Sequence, residues 1–118
     1  VNERIPDIGE SDAPPPCLDV LVSEAEAAAN FLKALGHDGR MTILCHLVSG
    51  PKSVTELENL ALSRQAIVSQ QLARLRLEGL VSARREGQAI YYSLRDPKVE
   101  PILRLLCALL TETKGAAL

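Results

Sequence analysis

The apolar residues of this chain change their spacing sharply, out of the helical period and back into it, and those two changes restrict the fold more than any other feature of the sequence. As far as Leu75 they recur at helical intervals: Ala28, Phe31, Leu32 and Leu35, then Ile43, Leu44, Leu47 and Val48, then Leu57 and Leu60, then Ile67, Val68, Leu72 and Leu75. After Gly79 they alternate, Val81 with Ala83 and then Ile90, Tyr92 and Leu94, which is the period of a strand buried on one face. With Glu86-Gly87 at the turn, this stretch reads as a β-hairpin. The helical period returns after Asp96-Pro97, with Val99, Ile102, Leu103, Leu106 and Leu110 on one face. The expected class is mainly α with a single β-hairpin.

Capping signals divide the helical part. Ser23 with Glu26 reads as a capping box for a first helix that stops at Gly36, and Asp38 as the cap of a second that ends at Ser49-Gly50-Pro51. Ser53 with Glu56 opens a short third helix, and Ser63 caps a fourth that runs to Gly79. Pro101 allows two readings of the last helix: it begins near that proline, or its first turn is kinked.

At 118 residues the chain suits one domain. Aromatic residues make up 3% and Trp is absent, so the core has to come from Leu, Ile, Val and Ala. Residues 1–18, with Pro6, Pro14, Pro15 and Pro16 among acids, cannot bury enough apolar surface to offset ordering entropy, and are expected to form a flexible acidic arm. Residues 19–114 form the folded domain and 115–118 a tail. No apolar run reaches the roughly 20 residues of a membrane span, since Arg104 interrupts the longest, Pro101–Leu110. The start of the chain lacks the basic and apolar regions of a secretory signal, so a cytoplasmic location is expected. In that reducing setting Cys17, Cys45 and Cys107 are not a disulfide scaffold.

The net charge of -2 argues against a polyanionic partner, but its distribution argues for one. Residues 1–30 hold seven acids against Arg4, whereas 64–104 hold eight bases (Arg64, Arg74, Arg76, Arg84, Arg85, Arg95, Lys98, Arg104) against four acids. Two capped helices joined by a tight turn, the second of them inside that basic stretch, read as a helix-turn-helix, and the hairpin behind them as its wing. The second helix of such a motif presents its first residues to base edges in the major groove. Here these are Arg64, Gln65, Ala66, Ser69 and Gln70, of which Arg suits guanine, Gln adenine, and Ala a thymine methyl. Arg84, Arg85 and Gln88 at the hairpin tip suit the flanking backbone. An ordinary solvated helix face is the competing reading of the polar residues. No Ser/His/Asp set, phosphate-binding Gly loop or paired carboxylates can be assembled, so neither an enzyme nor a cofactor or metal site is expected.

The linked segments "FLKALGHDGRMTILCHL", "SVTELENLALSRQAIVSQQLARLRLEGLV" and "ARREGQAIYYSL" resemble the ArsR/SmtB family of winged helix-turn-helix repressors over some two-thirds of the chain. The resemblance implies a homodimer joined through the first and last helices, which occupies double-stranded operator DNA until an inducer loosens it. The expected dimer face is Val99, Ile102, Leu103, Leu106 and Leu110. Thiol ligands of the family's metal sensors are missing from Ser53-Val54-Thr55-Glu56-Leu57, and the last helix has no His; His37 and His46 read as capping or surface groups.

Within the family the chain is similar to a sulfide- and redox-responsive subgroup that carries one thiol in the second helix, matching Ile43-Leu44-Cys45, and one in the last. This implies Cys45 and Cys107 as a thiol switch for reactive sulfur or oxidants. The subgroup's second cysteine falls at Thr111, however, one turn or about 5.4 Å beyond Cys107. The alternatives are buried structural cysteines, a metal- or ligand-responsive or non-sensing regulator of the same type, and a helical dimerisation module without DNA.

Overall fold

The computed structural model describes residues 16–61 and 65–117, the side chains of residues 16, 61, 65, 66 and 113–117 excepted. In chain order the elements are α1 (Pro16–Ser23), α2 (Ala25–Leu35), α3 (Asp38–Leu47), β1 (Lys52–Ser53), α4 (Val54–Ala61), α5 (Gln65–Leu77), β2 (Val81–Glu86), β3 (Ala89–Leu94) and α6 (Val99–Ala117). Two compact units divide the chain, 1–33 and 34–118.

In the first unit, residues 16–18, expected in the arm, instead open α1. A proline in the first helical turn gives up an N–H that has no intrahelical partner anyway, and Asp19 complements the positive end of the helix. The expected box at Ser23 and Glu26 does not start a helix. Ser23 closes α1, its Oγ donating to the Val20 carbonyl at 2.9 Å. Glu24 N–H and Ala28 N–H then donate to Val20 and Glu24 carbonyls at 3.0 and 2.9 Å. Helical bonding thus runs almost unbroken into α2, and donors that a cap would satisfy already have carbonyl partners.

In the second unit the described caps lie close to where the sequence puts them; the expected cap Ser63 lies outside the described residues. The N-cap of α3 is His37, one residue before the expected Asp38: His37 Nδ1 accepts from Gly39 N–H at 3.1 Å, and Asp38 Oδ1 accepts the same N–H at 2.8 Å. The Ser53–Glu56 box forms, with Ser53 N–H donating to Glu56 Oε1 at 2.8 Å and Glu56 N–H to Ser53 Oγ at 3.1 Å. At the end of α5, Gly79 takes a φ of +80° while Leu80 N–H donates to the Leu75 carbonyl and Gly79 N–H to that of Arg76. This is the Schellman arrangement, and it turns the chain into β2.

The hairpin pairs Val81 with Leu94 through Glu86 with Ala89. Its loop is therefore Gly87-Gln88, one residue later than expected, because the first loop position needs the positive φ (+64°) that Gly87 supplies. The sequence reading lacks β1, which pairs with β3 (Lys52 with Tyr92, Ser53 with Tyr91) to complete a sheet of order β1-β3-β2. Two residues are too short for a period to register.

The core is aliphatic, as the composition requires: Leu35, Ile43, Leu44, Leu57, Val68, Leu72, Leu75, Val81 and Val99 are fully buried. α6 begins at Val99, two residues before Pro101, so the first of the two readings holds: the proline is the third helical residue, where its missing N–H costs nothing. Asp96 organises that start, accepting from Lys98 N–H at 2.9 Å and Lys98 Nζ at 3.1 Å. Partial burial pushes the Asp96 carboxyl up, but these two donors and the ammonium charge outweigh it and hold the group below the usual carboxylate value.

The expected dimer face needs correction. Val99 is fully buried and Leu103 only 6% exposed, so both belong to the domain's own core. The exposed leucines of α6 are Leu105, Leu106, Leu109 and Leu110, the last at 63%. Among the described residues no helix is long and apolar enough to cross a membrane.

Candidate nucleic-acid interface and thiol pair

Helices α4 and α5 form the helix-turn-helix. Buried Val68, Leu72 and Leu75 define the inner face of α5, and at roughly 100° per residue the stripe opposite runs through positions 66, 70, 73 and 77. Ser69 and Gln70 are exposed, as base-reading residues must be. Gln65 and Ala66 stand in the first turn of α5, and Arg64 lies outside the described residues. Two further positions on this helix, Ala73 and Arg74, are exposed as well, and the phase set by Val68 and Leu72 points to both.

Gln71 differs from its neighbour Gln70 in being half-buried. Its Oε1 accepts from Arg40 Nη1 at 3.4 Å, while Arg40 Nε donates to the Ala34 carbonyl at 2.7 Å. A half-open cleft of about 180 Å³ lies beside this pair, between Asp38, Gly39, Thr42 and Ile43 of α3 and Ile67, Val68 and Gln71 of α5.

The wing separates its two arginines. Residues directly opposite in an antiparallel pair share a face, and neighbours along a strand alternate. Arg85, opposite Ile90, therefore lies on the face of Val81 and Ala83; Arg84, opposite Tyr91, lies on the other, with Glu86. Arg84 Nη2 meets Glu86 Oε2 at 2.9 Å. Gln88 is exposed in the loop.

The same pairing recurs through the basic stretch. Arg74 Nε lies 3.0 Å from Glu78 Oε2, Lys98 Nζ 3.1 Å from Asp96 Oδ1, and Arg104 Nε 2.8 Å from Glu100 Oε2. All four acids between 64 and 104 thus engage a base. Arg76, Arg85 and Arg95 have no acidic partner among the described residues.

Cys17, Cys45 and Cys107 are free thiols on exposed residues, so the reading of Cys45 and Cys107 as core filling does not hold. Burial by its surroundings pushes the Cys45 thiol up, and a charge on Cys107 pushes it further. Cys45 and Cys107 stand on helices, α3 and α6, that pack against each other. Cys107 Sγ is 3.9 Å from Thr111 Oγ1, so the two positions one turn apart stack on one face of α6. No group of three or more metal-ligating side chains occurs among the described residues.

The arsR family of bacterial regulatory proteins matches residues 37–83. The chain is 38% identical over 107 residues to the biofilm growth-associated repressor of Agrobacterium fabrum, covering 91% of this chain and 87% of that one. It is 36% identical over 89 residues to the transcriptional activator HlyU of Vibrio cholerae, covering 75% and 82%. Among solved structures, the transcriptional repressor BigR from Xylella fastidiosa superposes with a TM-score of 0.75 at 36% identity, covering 77% of this chain and 93% of BigR. The chain accordingly belongs to the ArsR family of winged helix-turn-helix proteins, which are DNA-binding transcriptional regulators and not enzymes.

Proposed function

We propose that this protein is a homodimeric repressor that holds operator DNA while Cys45 and Cys107 are reduced, and releases it when reactive sulfur or an oxidant links them. Arg64, Gln65, Ala66, Ser69 and Gln70 read bases; Arg84, Arg85 and Gln88 of the wing contact the flanking backbone. Repression is favoured over activation by the names of the Agrobacterium and Xylella relatives, against that of HlyU.

The observation that carries the reading is the placing of two exposed free thiols on α3 and α6, helices that pack against each other. Cys45 lies on the helix that leads into the DNA-binding motif, and Cys107 on the helix whose leucines remain exposed. A second copy of the chain covers those leucines, which gives Cys107 a place beside the dimer contact. A link between the thiols then couples the dimer contact to the spacing of the recognition helices. It releases DNA only if it favours a different conformer, since a modification that stabilises both states equally shifts nothing.

The chemistry balances with an organic persulfide, RSSH, as oxidant. Two thiols and one RSSH give a disulfide, RSH and hydrogen sulfide; a second RSSH gives a trisulfide and another RSH. Added sulfur extends the bridge, which suits a cysteine placed one turn from the subgroup's position.

Operator fragments selected from genomic DNA, followed by binding with and without persulfide, test the reading. Treated protein should lose operator affinity and show Cys45 and Cys107 peptides joined within one chain, while Cys45→Ser and Cys107→Ser each stay bound. Normal release by the double variant would exclude the thiol switch.

A further inference from the structure

A protein with net charge -2 that binds a polyanion has to manage its acids, and the ion pairs indicate how this one does. On the recognition helix the exposed Arg74 is held by Glu78 at 3.0 Å, and on the wing the exposed Arg84 is held by Glu86 at 2.9 Å. Neither pair is buried: the arginines are 54% and 62% exposed, so water and phosphate reach them. An exposed pair of this kind contributes little to folding. Its consequence lies at the interface.

We propose that Glu78 and Glu86 set the strength of DNA binding by occupying Arg74 and Arg84, the cations that would otherwise take backbone phosphates. The inference rests on the reading of α5 and the wing as the DNA-contacting elements. A phosphate approaching Arg84 has to displace a carboxylate that is covalently tethered two residues away, and the freed carboxylate then stays near the polyanion. Arg84 therefore releases little counterion on binding, whereas Arg85, on the opposite face of the hairpin and without an acidic partner among the described residues, acts at full strength. The two wing arginines, adjacent in sequence, are unequal. The acids keep the sequence-independent part of binding low, which leaves relatively more of the affinity to base contacts on α5.

The test is the salt dependence of binding to an operator fragment and to a random duplex. Glu86→Gln is expected to raise affinity about two- to five-fold and to steepen the slope of log K against log salt by up to about 0.9, on both DNAs. Glu78→Gln is expected to do the same. Arg84→Gln should weaken binding and flatten the slope less than Arg85→Gln does, and in its background Glu86→Gln should lose most of its gain. Glu100→Gln, which breaks a similar pair on α6 and changes net charge equally, should leave the slope where it was.

Each failure has its own signature. If Arg85→Gln leaves the slope unchanged, the wing does not touch DNA, and the Glu86 half of the proposal falls with that reading. If Arg85→Gln flattens the slope while Glu86→Gln and Glu78→Gln do nothing, the interface stands and the inference alone is overturned. A Glu100→Gln effect equal to that of Glu86→Gln also overturns it, since net charge and not pairing would then be responsible.

Discussion

Helices α5 and α6 are both amphipathic, yet they finish in opposite ways. α5 buries Val68, Leu72 and Leu75 and turns Ser69, Gln70, Ala73 and Arg74 outward, with Ile67 and Leu77 its exposed apolar residues. α6 buries Val99 and Leu103 near its start and then leaves Leu105, Leu106, Leu109 and Leu110 exposed. The first helix keeps three apolar side chains in the core and offers a mainly polar outer surface, Ile67 and Leu77 apart. The second leaves contiguous apolar surface of the kind that marks a protein partner. An apolar periodicity read along the chain does not distinguish these two uses, and burial does.

The sharpest way to break the comparison is in the core. Leu72→Ala should cost about 2–5 kcal/mol in denaturant unfolding, whereas Leu109→Ala, half-exposed, should cost far less in a domain measured as a monomer. Equal losses would mean that α6 is packed as tightly as α5.

Next in size is association. Charges at Leu106 and Leu109 should convert the protein to folded monomers whose operator affinity falls by about 100-fold or more, roughly 2.7 kcal/mol, read by sedimentation and by binding. A charge at Leu103, by contrast, should unfold the domain. A wild-type protein that sediments as a monomer at micromolar concentration would remove the dimer.

On α5 the expected effects are smaller and selective. Gln70→Ala should cost about 1–3 kcal/mol at particular base pairs without altering unfolding. Uniform weakening on every sequence would assign Gln70 to the backbone instead.

At the start of α6, Asp96→Ala should cost about 1 kcal/mol, as loss of a helix cap does. Because the folded-state Asp96 carboxyl lies below its unfolded value, its contribution is present above the ordinary carboxylate range and is lost as pH falls through the folded value. Denaturant midpoints of wild type and variant should therefore converge toward acid pH.

The smallest effect is the titration of Cys45. Burial and Cys107 both push this thiol up, so its alkylation rate should rise only at a higher pH than an ordinary thiol's. Cys107→Ser removes one of the two causes and should shift the midpoint partway back. An unchanged midpoint would mean that the sulfurs do not sense each other.

Local signals made most of the architecture legible in the sequence. The Ser53–Glu56 box, the Gly79 stop and the switch of period after it each lie within a few residues, and each corresponds to a bond or a dihedral in the fold. The Ser23 box matched an equally local pattern and failed, because helical bonding from α1 already supplied the acceptors. For the same reason the ion pairs Arg74–Glu78 and Glu100–Arg104 were open to view as four-residue spacings, while Arg84–Glu86 required strand alternation to place both side chains on one face.

What the sequence determined by itself, then, is the succession of α2 to α5, hairpin and α6, the aliphatic make-up of the core, and the run of polar residues at the head of α5. Tertiary structure decided which leucines of α6 belong to the core, that Lys52-Ser53 joins the sheet, that Gln71 turns inward to Arg40 while Gln70 turns outward, and that Cys45 and Cys107 stand exposed on helices that pack together. The physical reason is that caps and periods are short-range properties of the backbone. Which side of a helix is covered, and what lies across from it, depends on how distant segments pack together, and that is set only when the core closes.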